Sequence, residues 1–315
     1  MRFRRDRAPD EPTDLGGRGW WAALKRTVRE FKDDNLTDWA AALTYYSVLA
    51  IFPAMIVLVS ILGLVGESAT QPLIDNLGSV APGPAQEIFT NAIKNLQGDQ
   101  GAAGVLFVVG LLGALWSASG YVGAFMRASN SIYDIDEGRP VWKTLPVRVS
   151  LTLVLLVLLA VTTLAVVLTG GLAEKVGDLI GLGDTAVTAW NIAKWPVLLL
   201  VVSLMFALLY WAAPNVKQPG FRWVSPGGIL AVVGWLIASG AFAFYVGNFG
   251  SYNKTYGALG GVVVFLVWLW ISNIVILLGA EFNAELQRSR QIQAGHRGPI
   301  DAPFLEPRDT RTLEK

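Results

Sequence analysis

Six stretches of the chain carry no charged residue: Trp39 to Gly66, Gly101 to Met126, Val149 to Ala173, Trp195 to Val216, Trp223 to Asn253 and Thr255 to Ala280. They run 22 to 31 residues, each longer than the ~20 a helix needs to cross a hydrocarbon core about 30 Å thick. Strands of a membrane barrel would show as roughly ten-residue segments of alternating polarity instead. The pattern predicts an all-α polytopic membrane protein, a six-transmembrane-helix bundle with amphipathic interfacial helices.

Between the spans the pattern changes. Residues 1–19 are charged and rich in Pro and Gly, as in a disordered tail. From Trp20 to Phe31 the apolar Trp20, Leu24, Val28 and Phe31 recur at helical spacing among Lys25, Arg26, Arg29 and Lys32. This predicts a helix lying on the inner leaflet, with a helix packed under the bundle as the alternative. Pro84 to Leu96, with Ile88, Ala92, Ile93 and Leu96 sharing a face, predicts another amphipathic helix, and Gly170 to Ile192 has room for a short one. After Phe282, Glu285, Arg288 and Arg290 lie on a continuation of the last span, and Pro299, Pro303 and Pro307 punctuate a tail with nothing to pack. The expected division is a cytoplasmic N-terminal tail with its interfacial helix over 1–38, the six-helix transmembrane domain over 39–281, and a largely disordered cytoplasmic tail over 282–315.

Charge gives orientation. One side carries 21 basic residues: nine before the first span, Arg127, Arg139, Lys143 and Arg148 between the second and third, Lys217 and Arg222 between the fourth and fifth, and six after the last. The other side has four: Lys94, Lys175, Lys194 and Lys254. The positive-inside rule puts the basic side, with both termini, in the cytoplasm. The first apolar run is too long for a secretory signal and reads as an uncleaved anchor. Trp20, Trp21, Trp39, Trp142, Trp190, Trp195, Trp211 and Trp223 fall at or near span edges, where amphipathic rings are favoured. Ser225-Pro226-Gly227-Gly228 reads as a helix start. Gly257-x-x-x-Gly261, Gly234-x-x-x-Ala238 and Gly120-x-x-Gly123 are spaced for close helix contact, within the bundle or at a homodimer seam.

Residue supply excludes several chemistries. With no Cys there is no thiolate site, and the single His296, in the polar tail, supports neither a His-based metal cluster nor a triad. Nothing calls for a cofactor or a metal. A net charge of +1 argues against nucleic acid as a partner.

A family resemblance lies in a series of motifs. They are Ala40-Ala41-Ala42-Leu43-Thr44-Tyr45-Tyr46-Ser47-Val48-Leu49-Ala50-Ile51-Phe52-Pro53, Trp116-Ser117, Asn130-Ser131-Ile132-Tyr133, Arg139-Pro140, Leu209-Tyr210 and Pro214-Asn215. Later come Ser225-Pro226-Gly227, Phe249 to Tyr252, Tyr256-Gly257-Ala258-Leu259-Gly260 and Gly279-Ala280-Glu281-Phe282-Asn283. From about residue 25 to 290, in order and in helix placement, the chain resembles the YihY/virulence factor BrkB family. The resemblance implies a six-helix bacterial inner-membrane protein. Members have been labelled ribonuclease BN, and lipid or solute export has been proposed for relatives. Metal-dependent RNA cleavage needs several His and Asp ligands. The densest acidic group here, Asp134-x-Asp136-Glu137 before Gly138, reads as a solvated turn, so the chain is not expected to be an enzyme.

The polar residues near the spans remain as pathway or clasp candidates: Tyr45, Tyr46, Pro53, Arg127, Asn130, Tyr256, Asn273 and Glu281. Arg127 and Glu281 end the second and sixth spans at similar depth, so an ion pair is available as a clasp or gate, with snorkelling surface residues as the alternative. Pro53 can kink the first span, and Asn273 is placed to bond a neighbouring helix. No phosphate-binding loop and no carboxylate deep in a span specifies an energy source. Spans poor in charge suit acyl chains, and rim charges suit a head group. The expected function is passive or gradient-coupled transport of a lipid-like or small amphiphilic substrate, with the bilayer as partner, against a non-transporting scaffold for envelope assembly.

Overall fold

The computed structural model describes residues 9–65, 100–167, 184–248, 258–295 and 304–313. The amphipathic helix expected over Pro84 to Leu96, Phe249 to Tyr252, Tyr256, Gly257 and His296 lie outside them, as do the first residues of Gly170 to Ile192. After a 3-10 turn at Pro12–Leu15 come seven helices: α1 Gly16–Asp33, α2 Leu36–Val65, α3 Gln100–Ile132, α4 Val141–Val167, α5 Asp184–Ala212, α6 Ser225–Asn248 and α7 Ala258–Gln293. A second 3-10 turn, Phe221–Trp223, leads into α6. Among the described residues there is no strand, only an isolated bridge between Val216 and Pro307.

Five helices, α3 to α7, are long and apolar enough to cross a membrane, and the remaining uncharged run falls on α2. Helices α2, α4 and α5 continue through Pro53, Pro146 and Pro196. Each proline lacks an N–H, which frees a carbonyl one turn earlier. Helix α7 is 36 residues long, about 54 Å at 1.5 Å per residue. It therefore extends well past its apolar half and gives α1 a surface to lie on.

The chain forms two units, Met1–Thr44 with Val122–Lys315, and Tyr45–Tyr121. In the larger unit, α4 packs on α5, α5 on α6, α6 on α7, and α7 on α1. One closely packed cluster joins Leu15, Ala23, Trp223, Phe282 and Leu286, with Trp20 and Leu230 against it. Trp223 is therefore core rather than an interfacial anchor. Its indole N–H donates to the Asp10 carbonyl at 3.1 Å, and the Arg290 guanidinium lies over its ring. Trp21, Trp142, Trp190, Trp195 and Trp211 are exposed, as rings facing lipid would be.

Helix α1 turns Ala23, Thr27 and Glu30 inward against α7 and sets Trp20 beside Phe282, the rings tilted by 50° at 5.8 Å. Trp21, Leu24 and Val28 face outward, 58%, 39% and 69% exposed. It is packed on the bundle and still presents an apolar stripe to its surroundings. Of the glycines spaced for close contact, Gly261 has nothing within 4 Å of a Cβ placed on it and Gly257 lies outside the described residues, but the others make close contacts inside each unit. A Cβ on Gly234 would stand 2.9 Å from Val275, one on Gly123 3.1 Å from the Arg148 guanidinium, and, in the smaller unit, one on Gly120 2.8 Å from the Tyr46 ring.

The end of the chain departs from expectation. Residues 304–313 are not a tail with nothing to pack: Phe304 and Leu305 are buried, with Phe304 beside the Tyr133 ring and under the Arg288 guanidinium. Two apolar residues between prolines suffice to anchor the segment once backbone partners are offered to it.

Candidate functional site: a buried polar layer

Polar side chains gather in the larger unit where α1, the end of α3, the end of α5, the start of α6 and the charged half of α7 meet. Burying polar groups is costly unless each finds a partner. Three linked sets supply partners to most of their members, although Arg139 Nη1, Gln287 Oε1 and Glu281 Oε2 are buried without a hydrogen bond.

Asn215, fully buried just past α5, is the hub of the first. Its backbone N–H donates to Asn130 Oδ1 at 2.7 Å. Its side-chain amide donates to the Asp136 and Asp309 carbonyls at 3.2 and 2.9 Å, and its Oδ1 accepts from the Asp309 N–H at 3.2 Å. Asn130 donates in turn to Glu137 at 3.0 Å, and Glu137 holds Arg139 through two bonds of 2.7 Å. Arg139 donates onward to the Ala213 carbonyl at 2.8 Å. Burial alone would push the Glu137 carboxyl up, but the hydrogen bonds and charge of Arg139 outweigh it and hold the carboxyl below its usual value. The acidic turn is thus only partly solvated. Asp136 is exposed, Glu137 clamps Arg139, and Asp134 has a left-handed φ of 52° and reaches Arg288 at 3.1 Å. Gly138 is required because a Cβ there would run into the Asp309 carbonyl.

The second set joins α5, α6 and α7. Asn283, buried on α7, accepts from the Gly227 N–H at 2.7 Å and donates to the Val224 carbonyl at 2.9 Å. It thereby satisfies backbone groups at the start of α6 that a helix terminus leaves open. The helix start read from Ser225-Pro226-Gly227-Gly228 is there, but the Ser225 hydroxyl donates back to the Phe221 carbonyl at 3.2 Å. Tyr210 on α5 donates to the Ile276 carbonyl at 2.7 Å. Gln287 donates to Gln218 at 2.7 Å, and Gln218 donates to the Tyr133 hydroxyl at 3.3 Å. Burial pushes the Tyr133 hydroxyl up, so it stays neutral.

The third set is charged. Arg26 on α1 pairs with Glu285 on α7, donating also to the Glu285 carbonyl at 3.1 Å and to Ser289 at 2.7 Å. Arg288 pairs with Glu285 at 2.9 Å as well as with Asp134. Glu281, 1% exposed, is buried close to Asp34 in the turn between α1 and α2, and its Oε2 has no hydrogen-bond partner.

The candidates read from the sequence therefore separate. Glu281 and Asn130 sit in the buried layer. Asn273, also buried, donates to Thr44 Oγ1 at 3.1 Å and so bonds a neighbouring helix. Arg127 is exposed while Glu281 is buried, and among the described residues no ion pair joins them: similar depth placed them together, but exposure and burial set them on different faces. Tyr45, Tyr46 and Pro53 belong to the smaller unit. Tyr45 is 61% exposed and meets Tyr46 edge-on at 5.4 Å, and Pro53 packs beside Gly113. Asp34, Glu30 and Asp309 were not singled out from the sequence, where Asn215 and Asn283 stood only within family motifs and not as site candidates. A further signal was spacing, since residues 281, 285 and 288 share a face of a continuous helix, as do 26 and 30.

This architecture, apolar membrane-length helices joined at one end by a buried polar layer, is that of a multi-pass helical membrane protein. The chain belongs to the virulence factor BrkB family, which it matches over residues 27–301. It is 31% identical over 253 residues to the ribonuclease-like protein YfkH of Bacillus subtilis (strain 168), covering 80% of this chain and 90% of that protein. It is 31% identical to a UPF0761 membrane protein of Alkalilimnicola ehrlichii and 28% to one of Halorhodospira halophila, over 82% and 92% of this chain. The matches span only 57% and 62% of those two relatives. No solved structure matches.

Proposed function

We propose that the protein is a passive or gradient-coupled passage for a lipid-like or small amphiphilic molecule in the bacterial inner membrane, with both termini in the cytoplasm. The observation that carries this reading is the contrast along the helices. In each of the five membrane-length helices at most 17% of the most apolar stretch is buried, whereas the polar layer at their basic end is closely packed. Uncharged, uncovered helix faces offer acyl chains a route, and polar groups at the rim offer a head group its partners. On this reading the protein is not an enzyme. The ribonuclease-like name of one relative finds no support in a chain with no Cys and a single His. The packed polar layer favours one second reading, a non-transporting scaffold for envelope assembly.

The test is reconstitution of the purified full chain into vesicles carrying a fluorescent phospholipid in one leaflet. Faster movement of the lipid between leaflets than in protein-free vesicles is expected. Folded protein that moves neither phospholipid nor a charged amphiphilic dye would overturn passage in favour of the scaffold.

A further inference from the structure

Two arginines stand at the seam between α3 and α4. Arg148 lies seven residues after Val141, the first of α4, which is about 10 Å along the helix at 1.5 Å per residue. It is the last charged residue before the uncharged run that opens at Val149. Its side chain crosses to α3, where a Cβ on Gly123 would stand 3.1 Å from the Arg148 Cζ and 3.1 Å from Nη1. The missing side chain of Gly123 leaves the guanidinium its place. Arg127 follows one turn later on the same face of α3, and residues so spaced have Cβ positions about 6 Å apart.

The Arg148 guanidinium therefore lies within about 9 Å of the base of the Arg127 side chain, a gap that the length of an arginine and one phosphate together cover. Arg127 is the one exposed residue between 122 and 130, so it opens outward where its neighbours pack inward. The carboxylates near this end are taken. Asp134 pairs with Arg288, Glu137 with Arg139, and Asp309 with Lys143 and Arg311, and none of the three is at ion-pair distance from Arg127. Beyond Arg148 an apolar row begins on α4: Val149, Leu153 and Val157, each one turn from the next, are 40%, 44% and 61% exposed.

We propose that Arg127 and Arg148 form a binding site for the phosphate of an anionic phospholipid, with an acyl chain lying along Val149, Leu153 and Val157. A guanidinium offers paired N–H donors that match two phosphate oxygens, which a lysine ammonium does not. Two cations side by side favour a head group of net negative charge over a zwitterionic one, whose amine they repel. Charged side chains inside membrane helices characteristically face a substrate path or a polar partner, and the apolar row gives a lipid a second hold that a soluble phosphate lacks. The inference deepens the passage reading and rests on it for one consequence, that the site selects which lipid is moved. Binding is measured separately from movement.

The test is native mass spectrometry of the full-length protein in detergent, titrated with phosphatidylglycerol or phosphatidylcholine, with and without excess inorganic phosphate at constant ionic strength. Phosphatidylglycerol should bind more tightly than phosphatidylcholine and stay bound in the presence of inorganic phosphate. Arg127→Gln and Arg148→Gln should each weaken that binding roughly tenfold, the loss of one charge-assisted contact. Arg148→Lys, which keeps the charge without the paired donors, should not restore it. Lys25→Gln, which removes an exposed cation from α1, should leave it unchanged. Equal binding of the two lipids, displacement by inorganic phosphate, or affinity unchanged in both Arg→Gln variants would each overturn the proposal. If Arg148→Gln does not fold, Arg127→Gln, at an exposed position, decides it. Selective binding lost in the variants upholds the site even where no lipid moves between leaflets, and lipid movement without selective binding overturns the site but not the passage.

Discussion

A Cβ placed on Gly279 would stand 2.6 Å from the carbonyl oxygen of Gly227 and 2.5 Å from the Tyr210 hydroxyl. The backbones of α6 and α7 thus touch at two glycines, one from each of the Ser225-Pro226-Gly227 and Gly279-Ala280-Glu281 motifs.

Gly279→Ala and Gly227→Ala should therefore each destabilise the protein. In each case a backbone carbonyl of the other helix stands in the way and cannot swing aside, and forcing extra volume into packed structure costs about 1 to 3 kcal/mol or more. Gly240→Ala, with nothing within 4 Å of the new Cβ, should be neutral or slightly stabilising through helix propensity. Melting temperatures in detergent check the contrast, and equal losses at all three positions would mean that the close contact does not matter.

Removing the two arginines once grouped by charge alone should have unequal effects. Arg127→Ala removes an exposed cation and should cost roughly 0 to 1 kcal/mol. Arg26→Ala leaves the 1% exposed Glu285 side chain with Arg288 only, and loss of one partner of a buried pair costs about 3 to 5 kcal/mol. Denaturant titration of the two variants should rank them in that order.

Release of residues 304–313 should follow loss of the Asn215 side chain. Asn215→Ala keeps the backbone bond to Asn130 but removes the bonds to Asp136 and Asp309. Faster hydrogen exchange confined to 304–313 and its docking loops is the expected reading, and protection equal to wild type would place the anchor elsewhere.

The same segment should detach in acid. The side chains of Arg311 and Lys143 hold the Asp309 carboxyl well below the usual carboxylate range. A carboxyl depressed in the folded state contributes stability present above its unfolded value of about 3.9 and lost as pH falls through the folded one. Protease accessibility of the segment should rise below about pH 4, and Asp309→Asn should show the loosened state at neutral pH.

The proposed topology rests on the imbalance of 21 basic residues against four. Reporter fusions at Gly138 and Gly295 should read as cytoplasmic, and fusions at Gly98 and Gly183 as external. An inverted signal from a well-expressed fusion would refute the assigned orientation.

Much of the architecture follows from the sequence alone, because the cost of transferring a segment into lipid depends on that segment's own composition. Uncharged runs of membrane length identify the helices, their excess of basic residues at one end groups the helix ends, and the motif residues Asn130, Arg139, Asn215, Gly227 and Asn283 mark the level at which the polar layer forms. Composition fixes depth but not direction around a helix axis, and neighbouring residues on a helix point about 100° apart. That is why Arg127 and Glu281, matched in depth, do not meet, while Asp34 comes close to Glu281 from a turn far away in sequence. The C-terminal segment makes the same point: its prolines look unpacked until Gly138 leaves room for the Asp309 carbonyl and Asn215 supplies both a donor and an acceptor. Which buried polar groups satisfy one another is a property of several elements at once, and only the tertiary structure brings those elements together.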